Sequence, residues 1–460
     1  NKAREDCPVK LTVNYDPDMR SDYGDLRFQY EDENHFLDYW IESKNPNPSN
    51  QYAIVWIKVP YLPSGNSDVF MFYGKPSATD KSDYWSVFDE NSWSKKHTHD
   101  HQVTYHMASE GAWDPDVCYG GSRFLVTWEE GIPYAPLIGL LGFKQQIRGC
   151  FYDSNGNRQG NRFDITPWYE NQKFRNENPS CAYGGGKYFV AYEHYTNPIN
   201  NNQLDRDIKG AIVTSSGSSS TFDICTASNI QADPCVVYDP DHGKFFVVWE
   251  DGRSGTNNYD IYGRFYDADG DPLGSEIALV QRSNVQCEPW ITYDNINDHF
   301  MIVWEESSSD PETGPFDIWG QLFYDSGDAY TSAERLSPVG GADDYNFPCV
   351  AFQDGTEQFL VTWQMDDISS NDWYGHIYGV LIDENGNIDV PTFKIAHGEF
   401  ERTDVVAHLN TQFFVAYDSY SGDIYGKLVN SDGSLNGYEL QLSDSESDPA
   451  DWCNIASSGN

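Results

Sequence analysis

One six-residue pattern recurs along this chain and leaves few folds open to it. F-x-V-x-W-E, or a close variant, stands at Phe124–Glu129, Tyr188–Glu193, Phe245–Glu250, Phe300–Glu305, Phe359–Gln364 and Phe413–Asp418. Each copy is followed, after a polar loop of variable length, by D-I-Y-G or a relative, with its glycine at 149, 210, 263, 320, 379 or 426. A fixed repeat of this length is the signature of an array, and it must be recognised before any local reading of the chain.

The rest of the unit can be read around these two segments. Ahead of most copies lies a short apolar run opened by a Pro-containing turn signal, as in Asp114-Pro115-Asp116-Val117-Cys118-Tyr119 and Asp233-Pro234-Cys235-Val236-Val237-Tyr238. After D-I-Y-G come a turn such as Asp267-Ala268-Asp269-Gly270-Asp271 and a fourth short apolar run, as in 275–279. Four strands A to D per unit, with turn residues between them and no helical 3.6 periodicity, predict a blade of a β-propeller. Phe245-Phe246-Val247-Val248-Trp249 is apolar on both faces, which suits a sheet covered by neighbours on both sides. A glycine at one position of all six C strands implies close approach of a bulky group, and the Trp or Tyr of strand B is the expected one. The stretch 448–456 reads as a seventh strand A, and 102–109 as the strand D of a split closing blade, so the ring has six or seven blades.

Composition narrows the partners. Among 460 residues there are 29 Lys plus Arg against 72 Asp plus Glu, a formal net charge of −43. Such an excess repels phosphate, which argues against nucleic acid and anionic membrane, and no apolar run is long enough to span a bilayer. Proteins, glycans at a cell surface, cations and self-assembly remain. The polar start, Asn1 to Asp6, reads as a chain without an export leader or one from which it has been removed. Nine cysteines without close CxxC spacing leave the redox compartment open. Cys118, Cys181, Cys235, Cys287, Cys349 and Cys453 lie at A strands and read as buried thiols, whereas Cys7, Cys150 and Cys225 are freer to bridge.

Residues 1–90 do not follow the repeat. Alternating runs such as 53–59 and 69–73 predict a small β-sandwich-like module. Residues 91–112 read as a linker carrying a His cluster and the closing strand, and 113–460 as the propeller. Five segments of the first region (8–13, 25–28, 38–43, 55–60 and 71–79) resemble, in order, the motifs of domain-of-unknown-function 2341. That resemblance implies a β-rich module in secreted and surface proteins of bacteria and archaea, with no catalytic residues to carry over. The propeller units resemble V-V-W-E-D…D-I-Y-G-R repeats of exported surface proteins, most closely at 232–283, and this implies location rather than activity.

Several residue sets carry chemistry. Asp267, Asp269 and Asp271, Asp153, Asn155 and Asn157, and Asp383, Asn385 and Asn387 set oxygen side chains at alternate turn positions, which suits Ca²⁺; hairpin turns use the same residues without any ion. Glu250 and Glu305 with Asp418 end strand B, and Asp260, Asp317 and Asp423 begin strand C, so acids gather at one mouth of the ring as ligand-binding candidates or as strand-end caps. His97, His99 and His101 fall on one side of an extended segment and could take Zn²⁺ or Cu²⁺, or lie in a solvated linker. His194, Tyr195 and Arg206 are weak candidates for proton abstraction at a polysaccharide. No G-x-S-x-G, H-E-x-x-H or Walker loop is present. The expectation is an extracellular or cell-surface binding or structural protein. The alternative is a polysaccharide lyase or glycoside hydrolase with its site at the propeller mouth, in one or two blades that break the symmetry.

Overall fold

The computed structural model describes residues 4–30, 37, 39–45, 51–62, 69–75, 77, 81, 111–133, 143–154, 156–167, 175–195, 206–255, 258–308, 315–339, 343–366, 375–408, 411–419, 422–443 and 453–457. The chain divides into two compact units, 1–100 and 101–460.

In the first unit, β1 (Arg4–Asn14), β3 (Tyr39–Asn45) and β4 (Tyr52–Leu62) form an antiparallel sheet in the order β1-β4-β3, and β2 (Arg27–Tyr30) pairs with β5 (Val69–Phe72). Alternation fixes which face is buried: Ala53, Val55 and Ile57 of β4 join Val13, Leu26, Phe28 and Tyr39 in one core drawn from both sheets. Asp25 pins the loops, taking the backbone N–H of Arg20 on Oδ1 and that of Gly74 on Oδ2.

Among the described residues the second unit holds six four-stranded antiparallel blades, spanning 111–164, 175–225, 231–280, 285–335, 344–396 and 400–441. Each places strands A to D in chain order, and the A strands of successive blades contact one another around a hub. Strand B shows why the chain chooses this arrangement. Phe245, Val247 and Trp249 pack toward blade 2 with Phe189, Ala191 and Ile212, while Phe246 and Val248 pack toward blade 4 with Phe300, Ile302 and Trp304. A period of two with apolar residues on both faces therefore buries one strand between two neighbours, and Trp249, Trp304 and Trp363 are wholly enclosed.

Strand A departs from expectation at its proline. The Pro does not precede the strand but lies inside it, at a β-bulge that shifts the register between 113 and 116, 177 and 180, 232 and 235, 287 and 290, and 346 and 349. The residue before each Pro, Asp114, Asn178, Asp233, Glu288 or Phe347, takes φ between 45° and 55°, unusual for a side-chain-bearing residue. Proline lacks an N–H, so the bulge is where the ladder can spare a donor. Blade 6 keeps the bulge with Thr403 in place of Pro.

The strand C glycines are also explained differently. A Cβ on Gly263 would meet Phe246 and Leu279 at 2.7 and 2.8 Å, on Gly210 it would meet Phe222, and on Gly426 it would meet Phe414. The crowding groups come from strand D and from the second residue of strand B; the Trp or Tyr faces the other way. A second nesting joins neighbours: a Cβ on Gly120 would fall within the Tyr183 ring, and one on Gly184 within that of Tyr238.

The ring closes on seven inner places. Ser180 Oγ accepts the N–H of Val236 at 3.1 Å, and Asp116 Oδ2 accepts that of Cys181. Cys349 Sγ donates to Asp404 Oδ1 at 2.9 Å. Asp404 Oδ2 accepts from Ile455 at 2.7 Å, and the Asn454 side chain reaches Asp116. Positions 116, 180, 235, 290, 349 and 404 thus have a seventh member, Asn454, between the last blade and the first. The expected closing strand at 102–109 lies outside the described residues.

Among the described residues eight cysteines are free thiols, Cys150 and Cys225 among them. Cys150 and Cys225, the two expected to be freer to bridge, are buried and unbridged, Cys225 beside Asp251 and the Arg253 guanidinium. The side chain of Cys7 lies outside the described residues.

Candidate functional site at the hub

The bulges of strand A converge on a hub cavity of about 380 Å³. Its wall is built from the residue before the bulge proline in five blades, Asp114, Asn178, Asp233, Glu288 and Phe347, with Arg402 from the sixth. Arg206, Trp290, Asp404 and Asn454 complete it. Blade cores repeat their residue types closely; this wall does not.

The strand-B acids stand immediately behind the wall. Glu193 Oε1 accepts the N–H of Asp233 at 3.1 Å, Glu250 Oε2 that of Glu288 at 3.3 Å, and Glu305 Oε1 that of Phe347 at 2.6 Å. Each acid thereby holds the bulge of the next blade. Blade 6 turns the contact inward, with Asp418 Oδ1 accepting from Arg402 of its own strand A at 2.7 Å. The second acid of W-E-[ED] has another role: Asp251 Oδ2 accepts the Trp249 indole N–H at 2.9 Å and pairs with Arg253, and Glu306 takes Trp304 and Arg282 likewise. Blade 5 has Met365 there, and the buried Trp363 Nε1 has no acceptor.

Crowded acids in a dry wall resist ionisation. Burial pushes Asp114 and Asp116 up to about 6, Asp404 to about 7, and Glu129 and Glu250 to about 8. Asp233, Glu288 and Glu305 are raised for the same first reason, with neighbouring carboxylates adding to it. Two guanidiniums oppose this. Arg402 lies 4.4 Å over the Phe347 ring and lowers Asp114 and Glu288; Arg206 reaches Glu193 at 3.4 Å and lowers Asp233. Asp114 Oδ1 is buried without a hydrogen-bond partner.

The candidates read from sequence divide among several places. Glu250, Glu305 and Asp418 are hub braces. Asp260, Asp317 and Asp423 serve their own blades, accepting from Ser254 at 2.8 Å, Arg335 at 2.6 Å and Gln441 at 3.2 Å. Tyr195 lies between the guanidiniums of Arg175 and Arg206, each 4.9 Å from its ring. His194 faces a separate polar cavity of about 170 Å³, bonds Asn176 at 2.8 Å, and is lowered to about 4 by burial. The structure therefore does not join His194 to Tyr195 and Arg206; adjacent strand residues point to opposite faces.

Among the acidic turns, Asp267 Oδ1 takes the N–H groups of Asp269 and Asp271, and Asp383 Oδ1 those of Asn385 and Asn387. Asp153 Oδ1 takes that of Asn157. Gly270 and Gly386 supply the φ near 85° that these hairpins need. Asn155, His97, His99 and His101 lie outside the described residues. A donor cluster that sequence reading passed over joins blades 3 and 4, where His242 Nδ1 lies 2.9 Å from Asp239 and 3.4 Å from Asp298. Lys244 Nζ is also 3.6 Å from Asp239.

The strand A residues of the hub wall are not among the candidates read from sequence either. Their signal was the variable residue before the recurrent Pro, which was read as turn punctuation.

Fold and site define a β-propeller with an acidic, asymmetric hub, preceded by a separate β module. The family model for a domain of unknown function, DUF2341, matches residues 22–102. No curated protein matches the chain. Among solved structures, the Hadza microbial sialidase Hz136 is similar over 96% of this chain and 95% of its own, at 11% identity and a TM-score of 0.47. The endo-arabinase from Bacteroides thetaiotaomicron covers 58% of this chain and 92% of its own, at 13% identity and a TM-score of 0.36. Zg3597, a family 117 glycoside hydrolase of the marine bacterium Zobellia galactanivorans, covers 64% and 86%, at 12% identity and a TM-score of 0.37. No helix among the described residues is long and apolar enough to cross a membrane.

Proposed function

We propose that this chain is an extracellular or cell-surface binding propeller that receives a glycan end in its hub cavity. The observation that carries this reading is the wall itself: one bulge geometry repeated in five blades and filled by Asp, Asn, Asp, Glu and Phe, with Arg402 added from the sixth. Scaffolding does not require that diversity, whereas recognition of an asymmetric ligand does. Carboxylate, amide and guanidinium groups suit the hydroxyls of a sugar, and Trp290 with Phe347 offers apolar faces. The cavity volume falls in the range of small-ligand sites. The formal charge of −43 and the N-terminal module's resemblance to a family of secreted and surface proteins support location outside the cell.

The test is a glycan array with the intact chain, followed by calorimetry on any hit. Loss of binding in Asp233→Asn, with an unchanged melting temperature, supports the hub as the seat. Binding that survives both Asp233→Asn and Glu288→Gln removes it.

A second reading, hydrolysis or elimination at a polysaccharide, has one observation in its favour. Asp114 and Asp404, at about 6 and 7, hold protons in the range a general acid needs, beside other carboxyl groups of the same cavity. Release of reducing or unsaturated ends from a bound polysaccharide would establish it.

A further inference from the structure

The cavity is unbalanced in charge. Asp114, Asp233 and Glu288 project from three bulges, with Glu193 and Glu250 buried behind them, and among the described residues that line the cavity only Arg206 and Arg402 oppose these five acids. Both guanidiniums are already engaged, Arg206 with Glu193 and Tyr195, and Arg402 over Phe347. Asp114 Oδ1, a buried atom at the wall, is left with no donor. A second donor is missing in kind as well as in number: Asp233 Oδ1 receives one amide N–H, from Asn178 at 3.0 Å, where an ionised carboxylate has room for several.

Resting on the glycan reading above, we infer that the ligand presents a protonated amine to the hub, as an amino sugar does, and that Asp114, Asp233 and Glu288 receive it. A neutral sugar would leave this excess of acids unmatched and largely protonated in a partly dry cavity. An anionic sugar would add to it, since both guanidiniums would first have to leave their present partners. An ammonium group supplies three N–H donors and one positive charge, which is the complement of three convergent carboxyl groups. The apolar faces of Trp290 and Phe347 would then flank the sugar ring. Filling the site with a cation lets these acids ionise, so binding releases protons.

The experiment compares glucosamine oligomers with N-acetylglucosamine oligomers of the same length, in which an acetyl group removes the charge from the nitrogen. Calorimetry at pH 6.5 in two buffers of different ionisation enthalpy reads both affinity and proton release. The amine series is expected to bind at least about tenfold more tightly, with protons released, and the preference is expected to fall to under about threefold in Glu288→Gln. Equal or tighter binding of the acetylated series overturns this inference and leaves the glycan reading standing. Binding of neither series, with no other glycan bound on the array, overturns both. Binding of Ca²⁺ alone at the hub, abolished by Glu288→Gln and competing with no sugar, overturns the amine assignment in favour of a metal ion.

Discussion

Glu305 of the fourth blade accepts the backbone N–H of Phe347 in the fifth at 2.6 Å, so the acid that closes one strand B holds open the bulge of the next strand A. The same relation joins Glu193 to Asp233 and Glu250 to Glu288. Recurrent acids at the mouth of the ring are in this sense structural, and they place the variable residues that face the cavity.

The buried acids set an unusual pH dependence. Asp114, Asp404, Glu129 and Glu250 rise from 3.8 or 4.5 to between about 6 and 8 on folding. The folded chain therefore binds more protons than the unfolded chain between about pH 4 and pH 8, and stability falls as pH rises through that window. The thermal midpoint of the ligand-free protein should be at least about 5 °C higher at pH 5 than at pH 8. A midpoint that rises with pH over this range would contradict the assignment.

Glu250 separates charge from shape. With its pKa near 8, it is mostly protonated at neutral pH, so Glu250→Gln keeps the acceptor for Glu288 N–H and should cost less than about 1 kcal/mol. Glu250→Ala leaves that amide without its partner and should cost about 1–3 kcal/mol. Urea unfolding at pH 7 distinguishes them, and the Gln variant should also flatten the pH profile above 7.

Trp363 offers a gain. Its buried indole N–H lacks the acceptor that Asp251 gives Trp249, because Met365 occupies the place two residues on. Met365→Gln supplies a neutral acceptor of similar size, with an expected stabilisation of about 1 kcal/mol by chemical denaturation. A loss of more than that would mean the methionine's packing outweighs the missing bond.

The nesting of Tyr238 over Gly184 can be tested as a pair. A Cβ at 184 would stand 2.0 Å from the Tyr238 ring, so Gly184→Ala should cost about 1–3 kcal/mol or more. In the Tyr238→Ala background the same change should be nearly neutral. A double-mutant cycle without coupling would show that the two blades relax independently.

The repeat was legible because blade packing imposes it: alternate residues of Phe245–Trp249 must each meet a neighbour, and no other period satisfies both faces. The N-terminal sheet was legible for the one-sided version of the same reason, in Ala53, Val55 and Ile57. The cavity was not. Its residues are brought together only by closing the ring, since Asp114 and Glu288 come from different blades and share only the proline that follows each. The prolines that mark the site look like turn residues until the bulge is seen inside the strand. The same limit hid the nearest neighbours of Gly263 and the meeting of His242 with Asp298 across two blades.

The seventh inner place, held by Asn454 and Ile455, has a consequence for biosynthesis. A nascent chain can build its blades one after another, but the circle stays an open arc until those late residues leave the ribosome. Until then the free flanks of the first and last blades remain available to wrong partners. Escape from misassembly during synthesis thus depends on the last-made stretch of the ring, and a stalled or clipped chain would carry nearly all its blades and still be sticky.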